Sequence, residues 1–240
     1  MQTGNNARKP GLRVGGLVPL STTDYPDHLS AVVFCQGCPW RCAYCHNPHL
    51  LPRRSDSEIA WPDVLAFLDR RRGLLDAVVF SGGEPTLQRA LPDAMREVRA
   101  LGYKIALHTA GMHPRRLAEA LPLLDWVGMD IKTEFHRYSD ITRLPGSGVR
   151  ARQSMAILLA SGVAHEFRTT VDGSLIAGDR LRRLAHSLAA DGVRHYVLQQ
   201  CRAVGSQNSR PPRDVASRRL DAALEASLAP QFDTFTIRRA

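Results

Sequence analysis

The sequence predicts one α/β domain, an open barrel of six strand-helix repeats whose sheet is mostly parallel. Short runs rich in β-branched residues alternate with longer stretches in which apolar residues follow helical spacing. The runs are apolar on both faces, which is typical of parallel strands covered by helices. They occupy residues 30–34, 77–80, 104–107, 126–131, 166–171 and 196–199.

Local signals predict where two helices begin and end. Ser55 and Glu58 have the spacing of a capping box, so we expect the helix that contains Leu68 to open there. Gly102 follows a helix expected to end at Leu101.

The two ends of the chain differ from the repeats. Residues 1–11 are polar and predict a flexible tail, so the single domain covers residues 12–240. The Ser, Pro and Arg content of residues 205–213 is typical of a linker. A helix near 215–228 and a strand at 232–237 are expected to complete the domain.

Composition limits the classes of protein. The 240 residues are 44% hydrophobic, but no apolar run approaches the roughly 18 residues that cross a bilayer, and no secretory signal opens the chain. We therefore expect a soluble, cytoplasmic protein without membrane association. The net charge of +9 comes from scattered arginines without interleaved aromatic residues, so nucleic acid is not an expected partner.

Four of the five cysteines, Cys35, Cys38, Cys42 and Cys45, lie within eleven positions. In a cytoplasmic chain, bunched cysteines favour metal binding over disulfides. Four thiolates would suit a structural zinc ion, whereas three on a 4Fe-4S cluster leave one iron open. Because Cys35 ends an apolar run, we interpret it as a small buried hydrophobe, with Gly37 turning the chain before Cys38.

The other polar motifs also follow strands. In barrels of this kind the chemistry lies on loops at the carboxyl ends of the strands. The cysteines follow the first predicted strand, and the second to fourth and the sixth are followed by 81–85 (SGGEP), 108–111 (HTAG), 130–132 (DIK) and 200–202 (QCR).

The cysteine spacing matches a known signature. Cys38-x3-Cys42-x2-Cys45, with Tyr44 before the third cysteine, is the signature of the radical S-adenosylmethionine (SAM) superfamily, and the loop at 81–85 resembles its Gly-Gly-Glu-Pro element. This resemblance implies an open partial barrel of the radical SAM type. It also implies one 4Fe-4S cluster, bound SAM and anaerobic function.

Segment 15–26 and the Gln-Gly-Cys and His-Asn-Pro contexts of the cysteines resemble the glycyl-radical-enzyme activases. These include the pyruvate formate-lyase activating enzyme and the activating protein of anaerobic ribonucleoside-triphosphate reductase. The long form of the reductase activase is the nearest resemblance, from about Gly15 to Arg202.

The resemblance assigns roles to individual residues. It makes Cys38, Cys42 and Cys45 the catalytic cluster ligands. Around SAM it places Tyr44, His46, Gly82, Gly83, Glu84, Thr109, Asp130, Lys132, Arg168 and Arg202. On the residues alone, Lys132 reads equally well as a solvated lysine, and Arg168 as part of a salt bridge at the barrel top.

The chain also departs from the activase pattern. His108-Thr109-Ala110-Gly111 stands where those activases commonly have Asp-Thr-Asn-Gly, so a carboxylate and an amide are absent, and the sequence leaves open whether a monovalent cation binds there. We interpret His108 as a core or rim histidine rather than a ligand. Cys201, within a Gln-Gln-x-Arg stretch, is interpreted as incidental, which limits the chain to one cluster.

The implied reaction needs two protein partners. A reduced flavodoxin or ferredoxin supplies an electron, SAM is cleaved to methionine and a 5′-deoxyadenosyl radical, and that radical takes hydrogen from a glycine of the partner enzyme. The expected partner is anaerobic ribonucleoside-triphosphate reductase, and the basic surface would steer the encounter.

Two alternatives stay open. A radical SAM enzyme that acts on a small molecule, similar to 7-carboxy-7-deazaguanine synthase, would share the motifs. A zinc-stabilised binding module would use all four clustered cysteines and leave the Gly-Gly-Glu-Pro loop unexplained.

A pair of cysteine variants distinguishes the two ligand sets. After anaerobic reconstitution with iron and sulfide, Cys42→Ala is expected to lose the visible absorbance and the bound iron of a 4Fe-4S cluster, whereas Cys35→Ala keeps both. Loss of the cluster in Cys35→Ala would overturn the three-cysteine assignment.

Overall fold

The computed structural model describes residues 11–172, 175–176, 178–201, 220 and 222–239. Within these ranges, eight strands form one sheet in sequence order: β1 (Val14–Ser21), β2 (Ser30–Cys35), β3 (Ala77–Gly82), β4 (Lys104–Thr109), β5 (Trp126–Asp130), β6 (Ala164–Val171), β7 (His195–Gln200) and β8 (Thr234–Arg238). The α-helices are α1 (Trp61–Asp69), α2 (Leu91–Ala100), α3 (Pro114–Ala120), α4 (Tyr138–Thr142), α5 (Ser147–Leu159), α6 (Gly178–Ala190) and α7 (Ala222–Leu228).

The sheet confirms the predicted fold class. Strands β2 to β8 pair in parallel, and β2 to β7 correspond to the six predicted strands. The predicted terminal strand is β8, which lengthens the sheet beyond six strands. In the described part of the chain the sheet edges β1 and β8 do not pair, so the barrel is open.

Strand β1 was not predicted from the sequence. It contains two glycines and Pro19, and most of its residues are at least partly exposed. A strand of this composition is difficult to predict, because proline and glycine are depleted in strands and are tolerated mainly at sheet edges. As an edge strand, β1 pairs antiparallel to β2, with shifts in register.

The helix that follows the cysteine loop begins later than predicted. The backbone N–H of Ser55 does donate to Glu58 Oε1 at 2.9 Å, but this bond closes a turn before the helix. Helix α1 begins at Trp61, with Pro62 in its first turn, where a missing N–H costs no hydrogen bond. The capping-box interpretation was therefore wrong about the helix start.

The other boundary predictions agree where the structure describes them. Helix α2 ends at Ala100, and Gly102 has a φ of +94° that suits glycine. Helix α7 lies inside the predicted helix 215–228. Residues 1–10 of the predicted tail and the whole linker 205–213 lie outside the described residues.

The two faces of the sheet pack against different partners. Alternate residues of β3, such as Val78 and Phe80, join the helices in the main core, and the intervening residues face the barrel interior. There, Tyr25 from the β1–β2 loop stacks on Trp126, with ring centroids 5.4 Å apart. We call Tyr25 and Trp126, with the buried Ala106 beside them, the barrel floor.

Strand register brings the predicted motifs to one end of the sheet. Cys35 of β2 pairs with Gly82 of β3, and Asp130 of β5 pairs with Arg168 of β6. Because neighbouring parallel strands run in the same direction, the loops after them emerge together. We call this end, above the floor, the barrel mouth. Among the described residues, no helix combines the length and the apolar character that a membrane crossing requires.

Gly148 tests how closely helix α5 packs against Phe135 and Tyr138. A Cβ on Gly148 would collide with the carbonyl oxygen of Phe135 and lie 3.1 Å from the Cβ of Tyr138. We expect Gly148→Ala to lower the free energy of unfolding by about 1–3 kcal/mol in urea denaturation, because overpacking strains the helix contact. Gly16→Ala is the control, since its nearest neighbours are Phe34 side-chain atoms at 3.8 Å. Equal losses in both variants would contradict the packing argument.

Candidate functional site

The cysteine loop is held by its own backbone. Between the end of β2 and the short turn Pro48–Leu50, the described loop contains neither helix nor strand. The N–H of Gly37 donates to Leu50 O at 2.8 Å, and the N–H of Cys38 donates to Leu51 O at 3.2 Å. Gly37 has a φ of +101°, which confirms the predicted turn before Cys38. Both ends of the loop are thereby fixed.

Two glutamines that the sequence analysis missed brace this loop. The buried Gln36 side chain donates to Pro52 O at 2.7 Å and to His49 O at 3.2 Å. The Gln88 side chain donates to Gln36 O at 3.1 Å and to Arg13 O at 2.8 Å. Their partners are backbone groups distant in sequence, so spacing gave no signal for them.

The thiols lie in surroundings that disfavour the thiolate. Cys35 is fully buried in the core, as expected, and burial raises the pKa of its thiol well above the ordinary value. Burial raises the pKa of Cys38 to about 12. Burial also raises the pKa of Cys42, although nearby Lys132 opposes the shift. These thiols stay protonated until a cation stabilises their charged form.

The chemistry of the cysteine loop fits an iron-sulfur cluster. In the described part of the chain, no group of three or more His, Cys, Asp and Glu residues is placed to hold a single metal ion. A 4Fe-4S cluster spreads its thiolates over separate irons. The Trp40 Nε1 and Tyr44 hydroxyl groups, next to these cysteines in sequence, are buried and have no hydrogen-bond partner among the described residues, as expected where a polar group is bound.

The Gly-Gly-Glu loop packs directly against the cysteine loop. A Cβ on Gly82, where φ is +113°, would lie 2.8 Å from Cys35 O, and one on Gly83 would lie 2.8 Å from the carbonyl carbon of Gly37. The Glu84 N–H donates to Gly37 O at 2.9 Å. The glycines are thus needed for the approach of two backbones, a role distinct from the predicted contact with SAM.

Glu84 fastens the end of β3 to the end of β4. Its buried carboxylate accepts hydrogen bonds from the hydroxyls of Thr86 at 2.6 Å and Thr109 at 2.7 Å, and from the N–H of Ala110 at 2.9 Å. Burial raises the pKa of Glu84, and these donors oppose the rise. The Glu84 carboxylate and the Thr109 hydroxyl, both predicted near SAM, bind each other inside the protein.

Asp130 joins two cations at the mouth. Its carboxylate lies 2.8 Å from Lys132 Nζ and 3.0 Å from Arg168 Nε. Burial alone would raise the pKa of Asp130, but the two cations hold it well below its usual range. Burial alone would lower the pKa of Lys132, and Asp130 raises it well above the ordinary value. The salt-bridge interpretation of Arg168 describes this structure, and Lys132 is not a solvated lysine.

His108 extends this network towards the barrel interior. Its Nε2 lies 2.7 Å from the backbone oxygen of Asp24 and 3.1 Å from Arg168 Nη1, and its Nδ1 lies 3.4 Å from Ser81 Oγ. Burial and the positive charge of Arg168 lower the pKa of His108 to about 3. A neutral ring that donates from Nε2 to Asp24 satisfies the shortest contact. His108 is therefore a neutral rim histidine in this structure, as the sequence suggested.

The two residues that flank Cys45 contact residues from distant parts of the chain. Lys132 Nζ lies 5.7 Å from the centre of the buried Tyr44 ring, within cation-π distance. His46 Nε2 lies 3.7 Å from the sulfur of Cys201, which the sequence analysis had called incidental. Cys201 thus adjoins a residue predicted to flank SAM. Arg202 lies outside the described residues.

The sequence matches one family model. Residues 32–178 match the radical SAM superfamily model, a range that contains the cysteine loop and the motifs after β3, β4 and β5.

Several known proteins are similar to this chain. A Methanocaldococcus jannaschii protein assigned as a glycyl-radical enzyme activating enzyme is 34% identical over 78% of this chain and 79% of its own length. The pyruvate formate-lyase-activating enzyme of Clostridium pasteurianum is 34% identical over 50% of this chain and 52% of its own length.

Solved structures share the fold. Escherichia coli QueE aligns with a TM-score of 0.57 at 16% identity, covering 95% of this chain and 93% of QueE. Streptococcus suis SuiB bound to the precursor peptide SuiA aligns with a TM-score of 0.67 at 14% identity, covering 86% of this chain and 48% of SuiB. At these identities the likeness is one of fold.

The buried His108 predicts how stability depends on pH. Because its folded pKa lies below the unfolded value of about 6.5, the stabilisation is fully present above pH 6.5 and is lost as the pH falls towards 3. Urea denaturation of the wild type is expected to show a loss of about 2 kcal/mol from pH 7 to pH 5 through this group.

His108→Gln should show a smaller loss over the same range, whereas the exposed His186→Gln should behave as the wild type does. An unchanged pH dependence in His108→Gln would contradict the neutral, buried state of His108.

Proposed function

The chain belongs to the radical SAM superfamily, and on that premise we propose that it activates a glycyl radical enzyme, anaerobic ribonucleoside-triphosphate reductase. Membership implies a 4Fe-4S cluster and SAM. The relatives named as glycyl-radical enzyme activating enzymes support the general class of partner. The resemblance of segments 15–26 and 199–202 to the long reductase activases supports the particular partner.

One observation carries the proposal. The strand register and the close loop contacts bring the three-cysteine loop and the Gly-Gly-Glu loop together, and the same end of the sheet presents Lys132 and Arg168. A chance occurrence of the cysteine spacing would not predict these neighbours.

Three cysteines would hold the cluster. Cys38, Cys42 and Cys45 would each bind a different iron as a thiolate. Held by three thiolates, such a cluster would keep one iron without a protein ligand, and it would supply the electron for the reductive cleavage of SAM to methionine and a 5′-deoxyadenosyl radical. Because burial keeps Cys38 and Cys42 protonated, both release protons on binding, and Lys132 favours the Cys42 thiolate.

The charges at the mouth suit the methionine end of SAM. One carboxylate, Asp130, lies between two cations, Lys132 and Arg168, so the group keeps an excess of positive charge. A carboxylate of SAM would be attracted to that excess, with Arg168 able to donate two hydrogen bonds. Asp130 fixes both cations before SAM arrives, which lowers the entropy cost of binding.

The shape of the barrel suits a macromolecular substrate. The stacked rings of Tyr25 and Trp126 fill part of the barrel interior at the floor. The sheet edges β1 and β8 do not pair in the described part of the chain, so the barrel is open at that side. A loop that carries the glycine would enter from the mouth or from that side. The proposed reductant is a flavodoxin or a ferredoxin.

SAM cleavage tests the enzymatic part of the proposal. Anaerobically reconstituted protein, reduced with dithionite, is expected to form 5′-deoxyadenosine from SAM, and Cys42→Ala should form none although Cys35→Ala does. Chromatography measures the product. A wild type that holds its cluster and leaves SAM intact would exclude the proposed reaction.

Radical transfer tests the partner. Mixing the reduced enzyme and SAM with anaerobic ribonucleoside-triphosphate reductase is expected to give the electron paramagnetic resonance doublet of a glycyl radical. Pyruvate formate-lyase is the control partner. A doublet on the control alone would keep the activase function and overturn the choice of reductase, and SAM cleavage without either radical would favour a small-molecule substrate.

A further inference from the structure

A groove lined by arginines adjoins the cysteine loop. It consists of two adjoining concavities of about 550 and 360 Å³ that share Arg13 and Arg53. Arg54 lines the larger concavity, and Arg89 and Arg116 line the smaller. We call these five residues and the space between them the arginine groove.

The charge of the arginine groove is not neutralised by the described chain. Among the described residues, no Asp or Glu lines either concavity, and none of the five arginines forms an ion pair with a carboxylate. Other arginines are paired, as Arg238 is with Glu166 at 2.8 Å. Glu58, near the groove in sequence, accepts from its own loop at Ser55. The groove therefore attracts anions over a distance of several ångströms.

The groove shares its wall with the cysteine loop. The Cα of Arg53 lies 3.6 Å from the position of a Cβ on Gly37, the residue before Cys38. Gln88, which lines the groove, hydrogen-bonds both Arg13 and Gln36. A redox protein seated in the groove would thus lie against the backbone that carries the first proposed cluster ligand.

The arginines are arranged for a protein surface rather than for a small anion. Arg53, Arg54 and Arg89 are exposed and Arg13 and Arg116 are partly exposed, so none of the five is a buried cation in a closed cradle. Charges spread along an open rim mainly accelerate the encounter with an oppositely charged protein. Among the described residues, the lining of the groove includes none of Tyr44, Asp130, Lys132 and Arg168, which are proposed to face SAM.

We propose that the arginine groove is the docking surface for an acidic electron-carrier protein that reduces the cluster. One electron leaves the reduced carrier, which is oxidised, and enters the cluster, which is reduced; no bond is broken in this step. The proposal rests on the proposed function and names the surface that its reductant uses. A carrier in the groove would occupy none of the described residues that are proposed to contact SAM.

A double charge reversal tests the groove. Arg53→Glu with Arg54→Glu reverses two exposed side chains that make no hydrogen bond to the described residues. The control is Arg70→Glu with Arg71→Glu, which makes the same change in net charge after α1, at the opposite end of the strands. Each reconstituted enzyme is driven either by dithionite or by purified flavodoxin hydroquinone, and 5′-deoxyadenosine is measured.

The groove variant is expected to lose about tenfold or more of the flavodoxin-driven rate and to keep the dithionite-driven rate, while the control keeps both. The wild-type flavodoxin-driven rate should fall as KCl is added, and this dependence should weaken in the groove variant. Equal flavodoxin-driven rates in the two double variants would overturn the proposal.

Other outcomes separate the causes of failure. If the wild type with dithionite cleaves no SAM, the proposed function fails, whatever the groove binds. In that case the groove is still tested by measuring how tightly flavodoxin binds to each of the two reconstituted double variants. Sodium phosphate and KCl are compared at equal ionic strength for their effect on the flavodoxin-driven rate. If phosphate lowers this rate more strongly than KCl does, the groove holds a small anion and the docking proposal is overturned. If the groove variant does not fold, Arg89→Glu against Arg70→Glu repeats the comparison.

Discussion

The candidate site depends on the close approach of two loop backbones. Gly82 and Gly83 lie so near the chain at Cys35 and Gly37 that a methyl group does not fit between them. Hydrogen bonds from Gly83 and Glu84 to the cysteine loop then fix its position relative to β3. Since Glu84 also binds the end of β4, one small contact sets the relative placement of three consecutive loops.

At the mouth, a single carboxylate positions two cations. Asp130 is a single carboxylate that orders two cations, and its partner Arg168 reaches it from the next strand in register. Buried charges of this kind are tolerated because each is paired and hydrogen-bonded. The neutral His108 completes the layer without adding a third positive charge beside Arg168. The group of Asp130, Lys132 and Arg168 therefore keeps one excess positive charge, and each cation in it is paired with Asp130.

The sequence predicted the buried strands and the cysteine motif because both depend on local patterns. Apolar runs identify β2 to β7, whereas the glycines and Pro19 of β1 conceal an edge strand. Partners that come from different strands leave no spacing signal, so neither the bracing by Gln36 and Gln88 nor the contact between His46 and Cys201, which are 155 positions apart, was predicted. Tertiary contacts decide such details, and a single sequence does not record them.

The barrel floor has a kinetic consequence. Tyr25 stacks on Trp126 within a cluster of buried apolar residues at the floor, so reactants and products would pass through the openings on the other side of that cluster. Methionine and 5′-deoxyadenosine would then be trapped while a partner's polypeptide fills those openings. Under the proposed function, turnover would follow a compulsory order: SAM would bind before the partner's polypeptide, and methionine and 5′-deoxyadenosine would leave after it. Dissociation of the macromolecule, rather than radical chemistry, would then set the pace of repeated cycles.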